Sequence, residues 1–398
     1  MLQLDAVQTL AFAGLALFLG YGLCRVIPVL RRYNLPPPVI GGLVVALAAW
    51  AAHGRDATLF TLDTGLQSPL MIAFFTTIGI NASVWLLKIS GRQVLLFLLL
   101  ASGFAVAQNL LGMAVAAGFG LHPLFGVLAG STTLTGGPAT GLAFAPLFES
   151  AGVAGAESIA VASAMAGIVC GGLLGGPVAT LLIRRFGLTS ARPDDHRAPP
   201  ESPLLPASSE AEREYGALKS IVVILVAMWL GAWVSRAISA TGITLPAYVG
   251  AMLVGAVVRN VDDRTGWVRL SVPTTELIGN VCLSLFLAVA LMNLKLWELA
   301  GLALPLLVNL ALQAALVAAF CAVVFRAMGR DYDAAVMGGG FIGFMLGTTA
   351  NAMAVMRTLV ERYGAAPRAF LVAPLVGAFF IDFTNALIIT GFINLWPH

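Results

Sequence analysis

Charge is what this chain has least of. Of its 398 residues only 10% are Asp, Glu, Lys or Arg, while 59% are hydrophobic; soluble domains carry about 25% charged residues. That shortage excludes a water-facing globular surface at this size. Cysteine is also scarce. Cys24, Cys170, Cys282 and Cys321 stand singly in apolar runs, with no CxxC pair, and read as buried free thiols. The four histidines, His53, His122, His196 and His398, are far apart, so neither a transition-metal site nor a cofactor is expected. A nucleic-acid partner is not expected either. The opening residues, MLQLD, carry an acid where a cleavable signal has a basic region. The run from Val7 to Leu30 therefore reads as a first span, entering from outside and stopping at Arg31-Arg32.

What is present is apolar length. Runs of about 18 residues or more recur, each able to cross about 30 Å of hydrocarbon. They are continuous rather than alternating, which favours helices over barrel strands. The expected fold class is an all-α polytopic membrane protein. Its spans fall at 7–30, 38–52, 68–88, 94–119 and 157–183, then 218–240, 244–258, 277–298, 301–325 and 368–395. Two polar-flecked segments, 122–149 and 331–358, are left over. The stretch from Arg184 to Lys219 is rich in Pro, Ser and charge. It reads as a loosely ordered linker, 184–217, between a first half, 1–183, and a second, 218–398.

The halves share a layout. Each holds a long span and then a short glycine-containing span after a proline turn (LPPPVIGGLVVAL from Leu35, LPAYVGAMLVGAVV from Leu245). Two longer spans, a Gly/Thr-rich segment and a last span follow in each. His122 with Asp331, Leu35 with Leu245 and Glu157 with Pro367 are all about 210 residues apart, the mark of an internal repeat.

Basic residues set the orientation. Suppose each left-over segment enters and leaves by one face, giving ten crossings with both termini periplasmic. Then all 22 Lys and Arg residues except Arg55, Arg236 and Lys295 are cytoplasmic, and so is the linker. The first segment is flanked by His122, Glu149 and Glu157 without Lys or Arg, so it enters from outside. The second is flanked by Arg326, Arg330, Arg357, Arg362 and Arg368, so it enters from inside. Five crossings per half make the repeats inverted, each with a re-entrant helical hairpin.

Non-helical backbone at membrane depth must be buried in protein or line a polar cavity, and inverted repeats with paired broken helices mark secondary transporters rather than enzymes. In LTGGPATG, Gly136 and Gly137 permit a tight reversal and Pro138 suits the first turn of a following helix. The counterpart is GTTANA, Gly347 to Ala352. Two helix N-termini meeting there suit a carboxylate. The expected substrate-binding residues are Ser131, Thr132, Thr133, Thr135, Gly136, Gly137, Thr140, Gly347, Thr348, Thr349 and Asn351. The hydroxyls and unwound carbonyls are hard oxygen donors suited to Na⁺, with Asp382, Asn385, Thr135 and Thr348 expected at the ion. The plain alternative is that these small residues only allow close helix packing.

Asp382, in GAFFIDFTNALIITGF, lies near mid-membrane, where an ionised group costs several kcal/mol and is functional by default. It can coordinate the coupling cation, shuttle a proton in a proton-coupled carrier, or make a structural hydrogen bond. Asn385 shares its helical face. Gln108, Asn109, Asn280, Asn293 and Gln313 are expected to tie helices together. A remote alternative, an intramembrane aspartyl protease, needs a second facing aspartate, and Asp382 is alone at mid-span.

At these residues the chain resembles the bacterial sodium:glutamate symporter family. The shared text is LMIAFFTTIGINA (Leu70–Ala82), LFGVLAGSTTLTGG (Leu124–Gly137), GGLLGGPVA (Gly171–Ala179), LSLFLAVALMNLKLWELA (Leu283–Ala300) and FLVAPLVGAFFIDFTNALII (Phe370–Ile389). The resemblance spans nearly the whole chain. It implies Na⁺-coupled uptake of glutamate or a related anionic acid by an inner-membrane homodimer. It also implies an elevator mechanism, with scaffold helices at the dimer contact and a mobile core holding both hairpins. Two places depart from the family's glutamate carriers. Their first hairpin resembles SGGHGTG where this chain has Pro138-Ala139, and their second resembles GHCGFGLGATPTA where it has Phe341-Ile342. Both departures are expected to fall at the substrate site.

Overall fold

The computed structural model describes residues 2–33, 35–54, 60–85, 91–190, 210–241, 245–299 and 301–395. Arg55, Lys88, Arg192, Arg197, His196, His398 and most of the expected linker lie outside the described residues. The first half contains α1 (Ala6–Val26), α2 (Pro28–Arg32), α3 (Pro37–His53), α4 (Gln67–Asn81), α5 (Gly91–Gly118), α6 (Pro123–Val127), α7 (Gly137–Ser150) and α8 (Ala156–Arg185). The second contains α9 (Glu210–Ser239), α10 (Ala247–Thr265), α11 (Val272–Met292), α12 (Ala303–Ala327), α13 (Tyr332–Met345), α14 (Thr349–Tyr363), α15 (Pro367–Leu375) and α16 (Ile381–Asn394). Two three-residue strands, β1 (Leu2–Leu4) and β2 (Phe60–Leu62), pair in parallel with Leu2 opposite Phe60 and interrupt an otherwise helical fold.

Among the described residues six helices, α1, α5, α8, α9, α11 and α12, are long and apolar enough to cross a bilayer. The protein is a polytopic helical membrane protein. Local chemistry moves some expected boundaries. The first span ends at Val26, because Pro28 lacks the N–H that would continue the ladder, and α2 restarts from it. The linker's last residues are helical, since α9 begins at Glu210. All four cysteines are free, but only Cys321 is fully buried; a thiol half-exposed to hydrocarbon needs no polar partner.

The chain divides into two compact units, each built from both halves. The first holds Met1–Trp85 and Pro206–Ala300. Its helices meet at glycines, Gly41 against the Ala16 carbonyl and Gly79 against that of Met252, where any Cβ would collide. At the end of α10 the Asp262 carboxylate accepts N–H bonds from Val268, Arg269 and Leu270 at 2.7, 2.9 and 2.9 Å, fixing the turn into α11.

The second unit holds Leu86–Leu205 and Gly301–His398. Its core lies between α5, α12 and the second polar segment. The ring of Phe341 packs 5.6 Å from Phe97, 5.5 Å from Phe104 and 5.7 Å from Phe320. Both polar segments belong to this unit, and each is two short helices separated by a chain reversal. In the second, Gly343 abuts Ala352 and Gly340 abuts Met356, so α14 runs back along α13. In the first, Gly136 abuts Thr132 and Gly141 abuts Thr133, so α7 returns past the turn it leaves.

Candidate functional site

The first reversal begins with a wide turn of helix, Leu128–Thr132, distorted at Gly130 (φ −101°, ψ −128°). Asn109, in mid-α5, causes part of this: its Oδ1 accepts the Ser131 N–H at 2.9 Å, removing that donor from the helical ladder. Gly137 then adopts φ +70°, a conformation that excludes most side chains. Pro138 follows in the first turn of α7, where its missing N–H costs nothing. The second reversal is built otherwise. Thr348 is extended (φ −142°, ψ 168°) and its Oγ1 accepts the Asn351 N–H at 3.4 Å, capping α14.

The two tips touch. A methyl group placed on Gly137 would lie 3.5 Å from Thr348 Cγ2 and 3.9 Å from the Gly347 carbonyl oxygen. The N-termini of α7 and α14 are therefore neighbours, and each leaves first-turn N–H groups without helical partners. Behind them Gln108 joins both reversals. Its Oε1 accepts the Thr135 hydroxyl at 2.6 Å and its Nε2 donates to the Met345 carbonyl at 2.8 Å. Gln313 Nε2 donates to the Gln108 carbonyl at 2.8 Å, and Asn309 Nδ2 to the Ala129 carbonyl at 2.6 Å.

The last span closes the site. It too widens, over Val376–Phe380, between α15 and α16. Gly377 sits so close to Thr349 that a Cβ would fall 2.6 Å from its hydroxyl oxygen. Asn385 donates from Nδ2 to the Ser131 carbonyl at 3.0 Å, which binds α16 to the first reversal. Asp382 lies one turn earlier on the same face, half-buried and without a hydrogen-bond or ion-pair partner among the described residues.

Not every expected site residue turns toward the tips. The Thr133 hydroxyl bonds the Leu128 carbonyl at 2.8 Å within its own turn. Thr140 packs on Gly136. Asn351 sends Nδ2 to the Ile168 carbonyl of α8 at 2.9 Å. Among the described residues Ser131 Oγ, Thr132 Oγ1 and Asn385 Oδ1 have no hydrogen-bond partner, and neither do Gln313 Oε1 and Asn109 Nδ2. Buried polar atoms are rarely left so, and neutral hard oxygens are donors of the kind that fit Na⁺.

The two sequence departures separate here. Pro138 and Ala139 form the tip itself, but Phe341 and Ile342 are fully buried in the aromatic core. Of the two pairs expected at the substrate site, only Pro138-Ala139 lies at a reversal tip. Conversely, the role of Gln108 as the link between reversals exceeds the helix-tying role expected of it. Two adjacent amides at mid-span, Gln108-Asn109, and the i, i+4 pair Asn309 and Gln313 were the available signal.

The sodium/glutamate symporter profile matches residues 2–365. The chain is 42% identical over 397 residues to the sodium/glutamate symporters of Escherichia coli K12 and of Shigella flexneri, covering 99% of both chains in each case. It is 40% identical over 388 residues to that of Haemophilus influenzae, covering 96% of this chain and 95% of the relative. These relatives are named as carriers, not enzymes, which removes the protease alternative. The chain belongs to the sodium/glutamate symporter family.

Proposed function

We propose that this protein is a sodium-coupled symporter that imports glutamate or a related anionic amino or organic acid across the bacterial inner membrane. The observation that supports the reading is the proximity of the two reversal tips, Gly137 and Thr348, in a unit where Ser131 Oγ, Thr132 Oγ1 and Asn385 Oδ1 have no hydrogen-bond partner among the described residues. No Lys or Arg occurs in either tip sequence, 131–141 or 346–352. The anion is held instead by N–H groups and positive dipole ends of α7 and α14, with the hydroxyls of Thr135, Thr348 and Thr349 around it. Na⁺ sits against Ser131, Thr132, Asn385 and the Asp382 carboxylate, and its charge reinforces anion binding.

Coupling follows from electrostatics. An anion is repelled by a negative cell interior, whereas each net positive charge carried inward gains about 2.3 kcal/mol per 100 mV. Two or more Na⁺ per monoanion make import electrogenic and concentrating. In the same reading the sequence halves are inverted repeats with periplasmic termini and a cytoplasmic linker. The unit holding both hairpins is the mobile body of an elevator, and the other unit is the scaffold of a homodimer.

The test is uptake of labelled glutamate into proteoliposomes. An inward Na⁺ gradient without a pH gradient drives accumulation, and unlabelled amino and organic acids compete in the order of their fit. Accumulation driven only by a pH gradient would assign Asp382 to proton coupling and overturn the sodium assignment.

A further inference from the structure

Far along the second unit from the reversal tips, a cavity of about 550 Å³ opens between the end of α8 and the end of α12. Its apolar wall includes Leu181, Phe186 and Phe325, and its rim carries Arg185, Arg326 and Arg330. The wall is open, with Leu181 62% and Phe186 55% exposed. It is also ordered: the Phe186 ring stacks on the buried Phe325 at 5.3 Å between centroids. Arg330 is held in the left-handed region (φ 58°) after Gly329, with its N–H bonded to the Phe325 carbonyl at 3.0 Å.

Among the described residues none of these three guanidiniums has a carboxylate partner. The neighbouring acids are already engaged. Asp331 pairs with Arg368 and caps α13, and Asp333 accepts the N–H groups of Arg368 and Ala369 at 2.9 and 3.1 Å. Cations at helix C-termini do complement the dipole, but that role requires neither a cavity nor an open apolar wall.

We propose that this groove binds an anionic phospholipid, with the headgroup phosphate on Arg185, Arg326 and Arg330 and an acyl chain along Leu181 and Phe186. Three positive charges without a carboxylate partner among the described residues select an anion. The hydrocarbon-lined floor selects one with a tail, since a soluble phosphate would leave Leu181 and Phe186 uncovered. Basic pockets between helices at the cytoplasmic side are suited to anionic headgroups. The inference rests on the cytoplasmic placement of these arginines and is independent of which solute or ion crosses.

The experiment titrates phosphatidylglycerol, phosphatidylcholine or inorganic phosphate into the delipidated full-length protein in detergent. Binding is read by native mass spectrometry and by the unfolding temperature. Phosphatidylglycerol binds and stabilises, phosphatidylcholine does not, and each of Arg185→Gln, Arg326→Gln and Arg330→Gln weakens half-saturation about fivefold. Ala322→Trp fills the groove without removing charge and abolishes the effect, which keeps the test decisive if an arginine variant does not fold. Arg264→Gln, in the other unit, leaves binding unchanged. Equal stabilisation by phosphatidylcholine, an equal shift from inorganic phosphate, or unchanged half-saturation in every groove variant would overturn the proposal.

Discussion

The two chain reversals occupy matching places in the two halves, yet they solve the same problem in opposite ways. The second caps its own helix through Thr348, and it is tied outward by Asn351 to the Ile168 carbonyl of α8 and by Gln108 to the Met345 carbonyl. The first is incomplete by itself. It needs a left-handed glycine at 137, an amide from Asn109 and another from Asn385, and it still leaves Ser131 Oγ and Thr132 Oγ1 without partners among the described residues. In the proposed function the two turns do different work: the first is the cation side, and the second contributes a helix N-terminus for the anion.

The largest effect is expected from the residue that adds charge to the first turn's side. Asp382→Asn lowers Na⁺-driven uptake about 100-fold, about 2.7 kcal/mol in transition-state terms, with membrane insertion intact. Uptake with unchanged Na⁺ dependence in this variant would detach the carboxylate from the ion. Next is Gln108→Leu, which strips the Met345 carbonyl and the Thr135 hydroxyl of partners at once and costs about 2 kcal/mol of stability. Thermal unfolding measures that loss; an unaltered midpoint would mean the reversals are not joined through this side chain. A smaller effect separates the two turn geometries. Gly137→Val costs about 1–2 kcal/mol because of its positive φ, whereas Gly137→Asn is tolerated better. Equal losses would place the cost in contact with Thr348 rather than in the backbone.

The smallest changes split the two turns most cleanly. Thr348→Ala removes a helix cap worth about 1 kcal/mol and leaves the Na⁺ concentration dependence of uptake unaltered. Ser131→Ala deletes a hydroxyl that has no hydrogen-bond partner among the described residues, so stability moves by less than about 0.5 kcal/mol while half-saturating Na⁺ rises severalfold. The reverse pattern in paired thermal and uptake measurements would exchange the roles of the two turns.

Much of the fold was legible in the sequence because hydrophobic length and proline position are local signals. The span read at 38–52 is α3 at Pro37–His53, and the one at 157–183 is α8 at Ala156–Arg185. Legibility failed where a partner far along the chain decides the backbone. The widened turn at Leu128–Thr132 depends on Asn109 and Asn385, and no window around Ser131 contains both. Gln108 looked like one more amide between helices because its second partner, Met345, lies 237 residues away. Phe341 and Ile342 looked like site residues by their place in a motif, but three aromatic rings from other helices draw that stretch into the core. The tips themselves, Gly136-Gly137-Pro138 and Gly347-Thr348, were readable, since glycine and proline at membrane depth are backbone statements in themselves.

Side-specific labelling tests most directly the proposal that the two reversals enter from opposite faces and meet. In a background lacking Cys24, Cys170, Cys282 and Cys321, single cysteines replace Ala117 and Ser150 around the first reversal and Ala327 and Glu361 around the second. A membrane-impermeant maleimide applied to intact cells should modify the first two, and should reach the last two only after the cytoplasmic face is opened. If either pair splits, one member labelled from each side, that segment crosses the membrane outright and the shared site is lost.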